Sequence, residues 1–179
     1  MTNFSFLKLL DEAILPFIIL AGTRFLGVFL IALIFPVEFS FGGTSELVSL
    51  PLIKFGGSED LYFANSFSWG LVGLILAGAF GYFLFRVLTF HGDFLHPKEA
   101  TRIHRQNLEF LIIDSHEAFH QGIAWVLAAL VAITLAAIDF LSGVLAATAF
   151  GLVFGIGTLL VLVFWLGTTK SSLLERKKV

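Results

Sequence analysis

The sequence predicts an all-α integral membrane protein of four transmembrane helices, and three observations lead to that class. Of the 179 residues, 58% are hydrophobic and only 13% charged, against about 25% charged in a typical soluble domain. Mean hydropathy is +0.95. The apolar residues, 22 Phe among them, fall in four long continuous stretches rather than in the alternation of a transmembrane barrel, so the segments are expected to satisfy their own backbone hydrogen bonds as helices. A net charge of −2 gives no electrostatic footprint for nucleic acid or for a polybasic lipid-binding surface. The absence of Cys excludes disulfides, thiolate metal sites and a thiol nucleophile.

Span one is expected over 13–35, with Asp11 and Glu12 at its start and Pro36 closing it. Its apolar run exceeds the roughly 7–15 residues of a signal-peptide core, and Lys8 is the only positive charge before it, so it reads as a retained helix. An extracytoplasmic loop over 37–66 follows, in which Gly42-Gly43 and Gly56-Gly57 enclose TSELVSLPLIKF; this piece reads as an interfacial helix or re-entrant-like cap on the bundle. Span two covers 67–90. A His-rich cytoplasmic connector, 91–114, contains an amphipathic helix starting after Pro97, where Lys98, Glu99, Arg102 and Arg105 are spaced for pairing along one face. Spans three (115–138) and four (143–167) are joined by so short a connection, Asp139 to Ser142, that they form a tight antiparallel hairpin.

Orientation follows from the basic residues. Of the 11 Lys and Arg, nine fall on one side of a four-span chain, only Lys54 lies opposite, and Arg24 is inside span one. Both termini are therefore expected in the cytoplasm, in a multi-pass protein of a cytoplasmic-type membrane. No repeat or soluble domain is visible, so 1–179 reads as a single membrane domain. Gly70, Gly73, Ala77 and Gly81 in span two, and Gly143, Ala147, Gly151 and Gly155 in span four, form small-residue stripes suited to close helix packing, within the chain or toward a second copy or a partner subunit. Trp69 and Trp165 read as interfacial anchors beside the surrounding lipid.

All five His, at 91, 96, 104, 116 and 120, lie between the end of span two and the start of span three, together with Asp93, Glu99, Glu109, Asp114 and Glu117. Within this group His116-Glu117-Ala118-Phe119-His120 is an H-E-x-x-H motif. On a helix it places two imidazoles one turn apart on one face, able to hold Zn²⁺, with the intervening Glu poised to activate a metal-bound water. Through these five residues the chain resembles integral-membrane zinc metallopeptidases. The resemblance implies His116 and His120 as ligands, Glu117 as catalytic base, and hydrolysis of a membrane-resident substrate.

A third zinc ligand would come from Glu109, Glu12, Asp11, Glu99 or another of the histidines, with Glu109 preferred on geometry. Asp139 lies 19 residues beyond His120, about 28 Å along a helix. Glu109, seven residues before His116, falls within about 20° of the same helical face but about 10 Å away along the axis.

The same His residues also look like a depleted set of the histidine boxes of membrane di-iron desaturases and hydroxylases, which implies Fe. His116 or His120 is also placed to serve as an axial ligand to haem or a pigment, or to bond carbonyls and headgroups at the membrane surface. Arg24, about twelve residues into an apolar span, is costly there unless paired, and is expected either to bind an anionic group of the substrate or to bond within the protein, with Thr134 or Asn65 as partners. Two functions therefore stand side by side: a zinc-dependent hydrolase at the cytoplasmic face, and a non-catalytic subunit or assembly factor of a larger membrane complex. A channel has less to build on, since few polar groups line the spans.

Overall fold

A computed structural model describes residues 6–42, 53–90, 97–108, 112 and 115–176, with side chains described over 14–42, 53–90, 101–108, 112 and 117–166. Among the described residues are five helices and one small sheet, in the order α1 (Phe6–Ile34), β1 (Phe39–Phe41), β2 (Ile53–Phe55), α2 (Ser58–Thr89), α3 (Pro97–Arg105), α4 (Ser115–Leu141) and α5 (Ala147–Arg176). Four of them, α1, α2, α4 and α5, contain stretches long and apolar enough to cross a membrane. Only 22–33% of each apolar window is buried inside the bundle, so most of the apolar surface points outward. Leu33, Leu88 and Leu141 are all at least 80% exposed. A helix that is apolar on every side suits a membrane span or the interior of a larger assembly.

Around the bundle α1 lies beside α2 and α4, and α5 lies beside the same two, which leaves α2 and α4 diagonally opposed. The centre is built mainly from the alanines of α4. Ala128, Ala129, Ala132 and Ala136 form one core with Leu20, Trp69, Val72, Leu76 and Val153. Small side chains at i, i+4 and i+8 let a helix be approached closely from several sides.

The closest approaches occur at isolated glycines. A Cβ on Gly27 of α1 would stand 2.5 Å from Ser68 Cβ and 2.7 Å from Ser68 Cα on α2, and one on Gly157 of α5 would stand 2.7 Å from Ile133 Cδ1 on α4. Gly27→Ala must push two backbones apart, and we expect it to lower stability by about 1–3 kcal/mol in detergent unfolding. An unchanged midpoint would mean that the helices separate freely there.

The glycines of the span-four stripe do not pack inside the bundle. Added Cβ atoms at Gly143, Gly151 and Gly155 meet nothing within 4 Å, and in span two the same holds for Gly70 and Gly81, whereas Gly73 packs on Leu152. Gly143 is not in a helix at all. It has φ +76° and follows the end of α4, where Val144 N–H donates to Asp139 O at 3.1 Å and Gly143 N–H to Phe140 O at 3.0 Å. That is a Schellman ending, which needs a left-handed residue and so favours Gly. Asn107, with φ 53°, ends α3 in the same way through Leu108 N–H to Ile103 O.

The segment before span two departs most from expectation. Its described part is an antiparallel β-hairpin with Phe39 opposite Phe55, Ser40 opposite Lys54 and Phe41 opposite Ile53. Phe-Ser-Phe and Ile-Lys-Phe alternate apolar and polar residues, the strand period. Ile53 and Phe55 turn inward onto Val28, Ile31, Leu61 and Ala64, while Lys54 is exposed. Most of TSELVSLPLIKF lies outside the described residues. Helix α2 then begins at Ser58, nine residues before Phe67, with Glu59 and Asp60 in its first turn, where carboxylates complement the helix dipole. A search for uninterrupted apolar residues passes over such a start.

Candidate functional site

Among the described residues two polar clusters lie inside the bundle, near opposite ends. The first gathers around Arg24, only 3% exposed. Its Nη2 donates to Asn65 Oδ1 at 2.7 Å and pairs with Asp139 Oδ2 at 3.4 Å. Its Nη1 donates to Ser68 Oγ and to the Asn65 carbonyl at 3.3 Å. The guanidinium lies 4.2 Å from the centre of the Trp69 ring, whose Nε1 donates to the same Asp139 oxygen at 2.8 Å. Asn65 Nδ2 reaches on to the Val144 carbonyl at 2.8 Å. One network therefore ties α1, α2, α4 and the turn into α5.

This arrangement locates several residues singled out in the sequence. Asn65 is a partner of Arg24, as one reading of that residue expected. Thr134 instead bonds its own helix, at Leu130 O, 2.8 Å. Trp69 is 2% exposed and is no interfacial anchor; counted from Ser58 it lies about 16 Å along α2. Asp139, too far along its helix from His120 to reach a metal there, is the counter-ion of Arg24. The available signal was two opposite charges in otherwise apolar helices, a combination that favours mutual pairing.

The second cluster lies at the end of α2 and the beginning of α4. Arg86 is 6% exposed. Its Nη1 donates to Gln121 Oε1 at 3.1 Å, and its Nη2 donates to the Ile112 carbonyl at 3.3 Å and pairs with Glu117 Oε1 at 3.3 Å. Gln121 Nε2 donates to that same carboxylate oxygen at 2.8 Å. Arg86 is one of the nine basic residues that the charge distribution places at the cytoplasmic side. Its place inside a mostly apolar helix, with a Glu and a Gln spaced four residues apart on α4, was the missed signal.

The candidate metal ligands meet this cluster in part. His116, Glu117 and His120 all lie within the continuous helix α4, so the H-E-x-x-H spacing is helical as zinc binding requires. His120 is 2% exposed and packs edge-on to Phe119. The side chain of His116 lies outside the described residues. Glu117 Oε1, an atom that would accept a proton from water in hydrolysis, already receives bonds from Arg86 and Gln121. Glu109, the preferred third ligand, lies outside the described residues, and α4 is described from Ser115 onward. His91, His96, Asp93 and Asp114 also lie outside the description, and His104 is exposed on α3. Among the described residues no group of three or more His, Asp or Glu is placed to hold a metal ion.

Comparison with family models, with curated proteins and with solved structures yields no match to this chain.

Proposed function

We propose that the chain is a multi-pass membrane protein with both termini in the cytoplasm and α4–α5 as a hairpin, acting as a non-catalytic subunit or assembly factor of a larger membrane complex. One observation carries this reading: the buried charges Arg24, Asp139 and Arg86 join helices to one another, while the small-residue face of α5 at Ala147, Gly151 and Gly155 is exposed. Outward Gly and Ala at four-residue spacing are the means by which helices associate in lipid, with a second copy or a different subunit. The test is the size of the particle released from membranes by mild detergent. The expected result is a particle larger than the single chain, reduced to it by Gly151→Leu with Gly155→Leu, since both positions open on free space. A stable, monodisperse single chain from the unaltered protein would refute the reading.

A second reading is supported by the helical H-E-x-x-H spacing in α4: a zinc-dependent hydrolase in which His116 and His120 hold Zn²⁺, Glu117 activates water and Arg24 positions an anionic group of the substrate. Elemental mass spectrometry after chelator-free purification separates the two. The subunit reading expects no stoichiometric zinc, whereas about one Zn per chain, lost in His116→Ala, would put the hydrolase first. Iron instead would favour the haem or di-iron alternatives. For Glu117→Gln the subunit reading expects a stability change of at most about 1 kcal/mol, because the carboxylate side chain is 41% exposed. The hydrolase reading expects hydrolysis to be lost.

A further inference from the structure

The seam between α1 and α4, with α2 behind it, contains two cavities in line. The larger, about 370 Å³, is walled by Leu15 and Pro16 of α1, Ala79 and Phe83 of α2, and Trp125 of α4, with Arg86 and Gln121 among its polar lining. That is within the range of small-ligand sites. The smaller, about 90 Å³, continues along the same helices between Leu20, Ala21, Val72, Val131 and Leu135, with Arg24 also lining it. On α4 the lining residues Gln121, Ala124, Trp125, Ala128, Val131, Ala132 and Leu135 recur at three- and four-residue intervals, which places them on one face. From Gln121 to Leu135 this face runs about 21 Å, longer than one leaflet of the roughly 30 Å hydrocarbon core.

We infer that this seam binds one acyl chain of an anionic phospholipid, the headgroup phosphate meeting Arg86 and Gln121 and the chain lying along α4. Four features support that occupant. The larger cavity's described lining has one charged side chain, Arg86, and no carboxylate. Glu117, which pairs with Arg86 at 3.3 Å and accepts from Gln121 at 2.8 Å, is not among the residues lining the cavity and is 41% exposed in its side chain. The remaining wall is almost wholly apolar and aromatic, suited to a hydrocarbon and not to a polar metabolite. Leu15 and Tyr82, which line the cavity, are 62% and 51% exposed, so its wall continues onto the apolar outer surface of the bundle from which a lipid would come. Guanidinium also forms the charge-assisted bonds that a phosphate diester can accept.

Photo-crosslinking tests the inference on the full chain in phosphatidylcholine bilayers. Phosphatidylglycerol and phosphatidylcholine, carrying the same diazirine-bearing chain, are added separately, and labelled peptides are mapped by mass spectrometry. The expected result is labelling at Leu15, Ala124 or Trp125 about tenfold stronger with phosphatidylglycerol, the discrimination that charge-assisted phosphate bonds provide. Arg86→Gln is expected to abolish the preference. Ala79→Leu fills the cavity without touching Arg86 and is expected to remove label from the seam while labelling elsewhere persists, so the test survives a misfolded Arg86 variant. Soluble glycerol 3-phosphate should not compete. Equal labelling by the two lipids, a preference that persists in Ala79→Leu, or displacement by glycerol 3-phosphate would each overturn the assignment.

Discussion

Asp139→Leu is expected to lower the stability of the protein by about 3–5 kcal/mol, because it leaves the Arg24 guanidinium buried without the carboxylate that faces it. The loss is larger than for a surface ion pair, since both side chains are at most 4% exposed and water cannot replace the missing partner. Trp69 Nε1 loses its acceptor in the same substitution. Chemical unfolding in detergent micelles measures the effect, and a double-mutant cycle shows its origin. Arg24→Leu alone should be similarly harmful, whereas the two together should restore most of the loss, because a pair of apolar residues leaves no charge to desolvate. If the double variant were as unstable as the sum of the two single ones, charge would not be what holds these helices, and packing around Leu20 and Ala136 would have to account for it.

Trp69→Ala is the second large effect, expected at about 3–5 kcal/mol. The indole is 2% exposed and belongs to the main core with Val72 and Leu76. It also stacks under Arg24 and bonds Asp139. Trp69→Phe separates these contributions: it retains a ring beneath the guanidinium and most of the volume but lacks the N–H, and should cost about 1–3 kcal/mol for an acceptor left short of a donor. Equal losses in Phe and Ala would assign the whole effect to the hydrogen bond. Because Trp69, Arg24 and Asp139 touch one another, their effects are not expected to add.

The four apolar helices were legible in the sequence because twenty-residue apolar runs have few other physical readings. Helix α3 was legible for a local reason, Pro97 opening a run whose charged residues have helical spacing. Three-residue strands were not. Phe39–Phe41 and Ile53–Phe55 are too short for a period to stand out, and their pairing spans eleven intervening residues. The start of α2 was hidden by Ser58, Glu59 and Asp60, which help begin a helix yet resemble a loop by hydropathy. Neither charge network could be assembled from spacing alone, since Arg24 and Asp139 are brought to one level by the position of the α4–α5 turn relative to α2. Asn65 shows this, reaching the carbonyl of Val144 from within α2. Conversely, the five residues of His116–His120 advertise a chemistry, but a motif on one helix does not state what the neighbouring helices bring to it. Here α2 brings Arg86 to Glu117.

The pairing of Arg24 with Asp139 also has a history within each newly made molecule. The two residues are 115 positions apart, so at about 5–20 residues per second the arginine is synthesised roughly 6–23 s before its carboxylate. Asn65 and Ser68 arrive earlier and can receive the guanidinium first. The first two long helices thus have a polar contact with which to meet, and its neutralising charge is added only when the end of α4 emerges. A nascent chain halted before Asp139 holds an arginine still awaiting its anion.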